Sequence, residues 1–312
     1  MISDGLLNGI RTFVSAAEAG SFAVASERLG LSRSATSKSI ARLEERLGVQ
    51  LFNRTTRSLG LTEQGQAFYE KCARALADLQ AAELSLVSGR QVPAGKLRVD
   101  LPVVFGRQCV MPALLDVVQR YPEIQLDVTF NNRRVDLIEE GYDLVIRIGH
   151  LDDSTSLVAR RLGVQTMAIC AAPSYARQRG LPRTPDEIES HDCIIYYYGG
   201  RNSPWFFPGA DGQSQLKHIS GRLRLGSGDA IADAALAGRG IAQLPTWLIA
   251  PHLKSGSLVV SMPDCVCAGL PIHALWPQGR QLTPKVRVVV DELAARFLPV
   301  PPWEVDLPMV ES

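Results

Sequence analysis

The stretch from Ser21 to Leu47 constrains this chain most, because it reads as two short helices joined by a turn that forces them to cross steeply. Ser21 is placed to cap a helix over 22–29 that carries Phe22, Ala25 and Leu29 on one stripe. Gly30 can end that helix with a positive φ, Leu31 is expected to plug the turn, and Ser32 can cap the next helix. The second helix runs to Leu47, where Gly48 stops it, and turns Thr36, Ile40, Leu43 and Leu47 inward. An amphipathic helix over 6–19, with Leu6, Ile10, Phe13, Val14 and Ala17 on its apolar face, precedes the pair.

A steep crossing leaves the outer face of the second helix free to enter a major groove. That face carries Ser34, Lys38 and Arg42, with Ser37 on its flank, Arg33 in the first turn and Ser32 at the cap. Short hydroxyls and long cations are the side chains that meet base edges and phosphates. Residues 49–62 then place two short apolar stretches around a polar, basic tip, the pattern of a β-ribbon wing. Arg54 and Arg57 would reach phosphates or the minor groove from it. Between Arg28 and Arg57, seven Lys/Arg stand against Glu44 and Glu45, in a chain of formal charge +1 overall. A solvated helix face would account for the charge alone; the charge on this particular scaffold points to double-stranded DNA.

Thr62 can cap a long helix over 62–88, with Glu63 favourably placed in its first turn. Gly65, Phe68, Cys72, Ala75, Leu79, Ala82 and Leu86 recur at steps of three and four, the spacing of a helix–helix seam. Packing on the chain's own core would produce the same stripe. Pairing with a second copy is favoured, because a helix-turn-helix dimer sets its recognition helices about 34 Å apart to meet successive grooves. Gly89 to Gly95, with Pro93, reads as a hinge.

From Lys96 onward strands alternate with helices: strand 97–101, helix 105–120, strand 124–129, helix 134–140 and strand 143–148. A second set follows, with strand 164–171, helix 174–180, strand 193–198, helix 229–238 and strand 240–243. The chain returns to the first set through 271–276 and a helix over 284–298. This order implies parallel sheets covered by helices, in two α/β lobes around a hinged cleft, an architecture similar to that of periplasmic solute-binding proteins. The fold class is thus α/β, with a winged helix-turn-helix and a long linker helix ahead of a two-lobed sensor. The expected divisions are 1–61 for the head, 62–88 for the linker helix, 89–95 for the hinge and 96–298 for the sensor. Lobe one takes 96–163 and 268–298, and lobe two takes 164–267. The tail, 299–312, holds four prolines and is expected to be poorly ordered.

The residues 21–65, SFAVASERLGLSRSATSKSIARLEERLGVQLFNRTTRSLGLTEQG, resemble the DNA-binding signature of LysR-type regulators. The match runs through Ser21-Phe22, Ala25, Leu29, Ser32, Ile40, Leu43-Glu44, Leu47-Gly48, Leu51-Phe52, Arg54, Leu61-Thr62 and Gly65. Phrases such as YPEIQLDV, EGYDLVIRIG and AALAGRGIAQLP resemble the effector domain of the same family. The resemblance implies a dimer or tetramer paired through linker helices, with a small-molecule effector between the lobes. It also implies that Arg33, Ser34, Ser37 and Lys38 read DNA. Lys38 stands where the family usually has Arg, which keeps a charge but loses a bidentate fork. Ser34 replaces a frequent Pro.

Geometry and the resemblance together nominate effector contacts. Pro102, Val103, Val104 and Phe105 lie between the first strand and its helix, where free N–H groups suit an anion. Asn131 follows the second strand, where the family often has a ligand-binding hydroxyl. Ser227, Gly228 and Asp229 precede a helix of the other lobe, although Ser227 and Asp229 are good capping residues in any helix. The apolar Val103, Val104 and Phe105 hint at a ligand with an apolar body and an anionic end.

Rival classes lack their signatures. No GxSxG elbow, GxxxxGK[ST] loop or GxGxxG after a strand is present, so an enzyme is disfavoured, and no cofactor is expected. His191-Asp192-Cys193 is the nearest approach to a catalytic cluster and reads as structural. The histidines show no zinc spacing. Cys72, Cys109, Cys170, Cys193, Cys265 and Cys267 read as free, mostly packed thiols, with Cys265 and Cys267 sharing one face of a strand. A solute-binding protein fits the C-terminal two-thirds but not the basic head. No apolar run approaches the ~20 residues of a membrane span, no signal peptide is visible at the N-terminus, and the cytoplasm is the expected location.

Overall fold

The computed structural model describes residues 4–54, 59–87, 92–151, 156–209, 213–278 and 282–305. It contains two compact units, Met1–Lys96 and Leu97–Ser312.

The first unit comprises α1 (Asp4–Ala19), α2 (Phe22–Leu29), α3 (Arg33–Leu47), the strands β1 (Phe52–Arg54) and β2 (Leu59–Leu61), and α4 (Glu63–Val87). Gly30 and Gly48 end α2 and α3 in the left-handed conformation, at φ 64° and 69°, as their positions in the sequence require. The Ser32 hydroxyl accepts a hydrogen bond from Ala35 N–H at 3.1 Å and caps α3. Ser21 occupies the corresponding place before α2, but its side chain makes no capping bond. β1 and β2 pair antiparallel, with Phe52 opposite Leu61. Phe13, Ile40, Leu43, Leu51, Phe52 and Cys72 form the core, and Phe13 and Phe22 both pack edge-on against Phe52. Leu31 and Leu47 are exposed, against expectation: α3 turns inward only as far as Leu43, and the turn residue faces solvent.

The linker stripe divides. Phe68 and Cys72 pack into the head's own core together with Tyr69, Ala73 and Leu76, whereas Ala75 and Leu79 are exposed. Gly65 belongs to a different contact. A Cβ there would overlap the Leu51 carbonyl oxygen, so only glycine lets α4 start this close to the wing.

The second unit runs β3 (Gly95–Leu101), α5 (Val103–Phe105), a π turn over Gly106–Val110, α6 (Met111–Arg120), β4 (Ile124–Phe130) and β5 (Leu144–Ile148). The long strand β6 (Leu157–Ala171) leads to α7 (Pro173–Arg179), β7 (Cys193–Tyr198), β8 (Arg201–Asn202), β9 (Trp205–Pro208), β10 (Ser214–Lys217) and β11 (Leu223–Leu225). Then come α8 (Gly228–Leu236), β12 (Ile241–Pro245), α9 (Thr246–Lys254), β13 (Val259–Ser261), β14 (Cys267–Pro277) and α10 (Pro284–Phe297). One continuous sheet has the order β11-β7-β12-β6-β14-β5-β3-β4. It is parallel at β3–β5 and at β11–β7–β12, but antiparallel wherever β6 and β14 are involved. The purely parallel expectation fails for that reason: the two crossover strands lie between the lobes and pair with both.

Three further expectations need correction. Residues 134–140 are turns rather than a helix, because Asp136 Oδ1 accepts from Ile138 and Glu139 N–H and Gly141 follows at φ 73°. Cys265 ends a short 3₁₀ turn and only Cys267 begins a strand, so the two do not share a strand face. The tail is packed as far as residue 305. Trp303 stands edge-on to Phe105 and Phe297, with centroids 5.8 and 5.0 Å away, Thr246 bonds Glu304 at 3.2 Å, and Lys254 donates to the Val305 carbonyl at 2.9 Å. An indole that covers two buried rings outweighs the local irregularity that prolines signal.

Candidate nucleic-acid interface and candidate effector cleft

On α3, Ser32, Arg33, Ser34, Lys38 and Arg42 are exposed and Ser37 is half-buried, while Thr36, Ile40 and Leu43 face the core. The helical period therefore brings the sequence-nominated residues onto one accessible face. Arg33, Lys38 and Arg42 form no ion pair among the described residues. Glu44, by contrast, is structural: its Oε1 accepts from Leu51 and Phe52 N–H at 2.9 and 3.2 Å and ties the wing to α3. Thr62 holds the other side, donating to the Gln50 carbonyl at 2.7 Å while accepting from Gly65 N–H. Arg54 ends β1, and Arg57 lies outside the described residues.

In the second unit a cavity of about 430 Å³ opens between the lobes, within the range of small-molecule sites. Of the nominated residues, Pro102, Val104, Phe105, Asn131 and Gly228 line it. Val103, Ser227 and Asp229 do not. Val103 is exposed, and its N–H donates to Asn132 Oδ1 at 3.1 Å. Ser227 and Asp229 bond each other, and the Asp229 carboxylate accepts from Ala230 N–H at the start of α8. The Ser227 hydroxyl first, then the Ala230 N–H and the charge of Arg107, hold that carboxyl below the usual carboxylate range.

The wall also contains residues the sequence did not nominate: Arg147, Gln165, Met167, Tyr196, Trp205, Phe206, Gln243 and Trp247. Arg147 donates to Asp100 Oδ2 at 2.7 Å, and Asp100 is fully buried, with Oδ1 taken by Thr129 and Asn131 at 2.6 Å each. Gln243 is spent on the backbone of Phe206, which it meets with both ends of its amide. Tyr198, from lobe two, donates across the cleft to the Asn132 carbonyl at 3.1 Å. The only signal in the sequence was EGYDLVIRIG, in which an arginine interrupts a buried strand.

His191-Asp192-Cys193 serves the scaffold. The Tyr175 hydroxyl bonds His191 Nδ1 at 3.1 Å and accepts from Asp192 N–H at 3.0 Å. All six cysteines are free thiols. Burial pushes Cys72 and Cys193 up to about 11 and Cys109 and Cys170 up to about 12, the opposite of a thiolate nucleophile. No described helix is long and apolar enough to cross a membrane.

A winged helix-turn-helix with a free basic face, on the same chain as a two-lobed unit with a ligand-sized cleft, defines a ligand-responsive DNA-binding regulator. Residues 7–66 match the model of the bacterial regulatory helix-turn-helix protein, lysR family, and residues 90–298 match that of the LysR substrate binding domain. The regulator DmlR of Escherichia coli K12 is 35% identical over 295 residues, covering 94% of each chain. An HTH-type regulator of Haemophilus influenzae is 34% identical over 280 residues, 90% of this chain and 96% of its own. The solved structure of CrgA, a LysR-type regulator of Neisseria meningitidis, superposes with a TM-score of 0.59 at 31% identity, covering 92% of this chain and 97% of that one. The chain belongs to the LysR family of transcriptional regulators. It is a DNA-binding regulator with an effector-binding domain, not an enzyme.

Proposed function

We propose that α3 reads the operator through Arg33, Ser34, Ser37, Lys38 and Arg42, with Ser32 at its N-terminus and Arg54 and Arg57 gripping phosphates from the wing. The observation that carries this reading is a face of exposed cations, without ion pairs among the described residues, on a helix whose opposite face is core. Two such heads are brought together through the exposed side of α4, where Ala75 and Leu79 continue in sequence to Ala82 and Leu86. The cleft takes the effector against Pro102, Val104, Phe105, Asn131 and Gly228, and against the Arg147, Gln165 and Tyr196 that the tertiary structure adds. Ser227 and Asp229 support the cleft through the start of α8, where Gly228 lies on its wall. The protein works in the cytoplasm, where its operator is.

The test is retardation of a DNA fragment from upstream of its own gene. Binding should fall steeply as salt rises, because each neutralised phosphate releases counterions. No retardation on any genomic fragment at low salt, with turnover of a metabolite instead, would overturn the reading.

A further inference from the structure

The charge on the cleft wall is already paired with a buried carboxylate. Among the described residues, Arg147 is the only formally charged one on its wall. Its guanidinium is paired at 2.7 Å to a fully buried carboxylate whose other oxygen is filled by Thr129 and Asn131, and its second nitrogen donates to the Ile146 carbonyl at 2.9 Å. The N-terminus of α8, which reaches the wall at Gly228, carries its own anion in Asp229. An incoming carboxylate would therefore lose its water without gaining an unpaired cation, which is costly in an apolar cavity.

The groups still open on the wall are neutral. Gln165 is 7% exposed, yet its amide makes no side-chain hydrogen bond among the described residues. The Tyr196 hydroxyl is likewise uncommitted among them; the Trp247 indole N–H, also without an acceptor among them, is fully covered by protein. An amide and a phenol without a side-chain partner among the described residues thus stand on one wall, where a ligand can pair with them. Around them stand Trp205, Phe206, Phe105 and Met167, flat or polarisable surfaces suited to an aromatic ring.

We infer that this cleft selects an uncharged aromatic ligand bearing a carbonyl, amide or hydroxyl group, and discriminates against carboxylates. The inference rests on the cleft being the effector site. It replaces the anionic end that the apolar sequence around Val103 had suggested.

Matched pairs test it: benzamide against benzoate and 2-naphthamide against 2-naphthoate, added to the full-length protein and followed by thermal shift and by tryptophan fluorescence. The amides are expected to bind at least about tenfold more tightly than the acids, a margin of about 1.4 kcal/mol. Asp100→Asn releases the Arg147 charge while keeping a hydrogen-bonding side chain, and should strengthen acid binding by about tenfold or more with little change for the amides. Should Asp100→Asn fail to fold, Asp229→Asn keeps a good capping residue, frees the α8 N-terminus, and should raise acid binding by severalfold. Acids binding the unmodified protein as tightly as amides would overturn the inference and leave the effector site standing. Binding of neither series at millimolar concentration would remove both.

Discussion

The outer face of α3 and the wall of the cleft both carry arginine, and they treat its charge in opposite ways. On α3, Arg33 and Arg42 stand in solvent without an ion pair among the described residues. In the cleft, Arg147 is largely buried and held by a carboxylate that no solvent reaches. A surface that must meet a polyanion keeps its cations free, since their value lies in the counterions they displace. A pocket inside a core cannot keep a bare charge, because desolvation would cost more than the fold can spare. The residues proposed to bind on the head are therefore separable from stability, and those proposed in the sensor are not.

That contrast can be broken by mutation. The largest effect is expected for Asp100→Ala, which leaves Arg147, Thr129 and Asn131 without their shared acceptor; about 3–5 kcal/mol of stability should be lost in urea unfolding of the sensor. Trp303→Ala strips the cover from Phe105 and Phe297 and should cost about 3 kcal/mol by the same measurement. If it costs nothing, the tail segment is not part of the core. Arg33→Ala and Lys38→Ala should each weaken specific DNA binding by about 1–3 kcal/mol in gel retardation, with the melting temperature unmoved. A drop in melting temperature for either variant would show that head residues also hold the fold.

The smallest effect concerns pH. Burial, then Arg161 and also His150, hold His273 on β14 below its ordinary 6.5, against a hydrogen bond to the Gly149 backbone that favours its charged form. The unfolded chain therefore takes up a proton at a pH where the fold does not. This contribution to stability is complete above about 6.5 and is lost as pH falls below it. Melting temperatures between about pH 7 and pH 5.5 should fall less for His273→Gln than for the natural chain.

The head was legible because its determinants are local. Gly30, Ser32, Gly48 and Thr62 act within a turn of where they stand, and the buried stripe Thr36, Ile40 and Leu43 follows from helical period alone. The misreadings there, Leu31 and Leu47, lie at helix ends, where periodicity says nothing about what lies opposite. Gly65 was visible as a motif residue, but its reason, the Leu51 carbonyl against α4, is a contact between separate elements.

The cleft was legible only in part. Pro102, Val104, Phe105, Asn131 and Gly228 were reachable because strand ends and helix starts recur at predictable places in α/β folds. Arg147 and its partner are 47 residues apart, and Gln165, Tyr196 and Trp247 come from strands and a helix that meet only when β6 and β14 cross between the lobes. The sequence by itself determined the class of the protein and the exposed basic face of α3, since caps, periods and basic spacing are short-range physics. The tertiary structure alone decided that the charge of Arg147 is already neutralised. Whether a buried arginine is available to a ligand depends on which distant carboxylate the fold brings beside it.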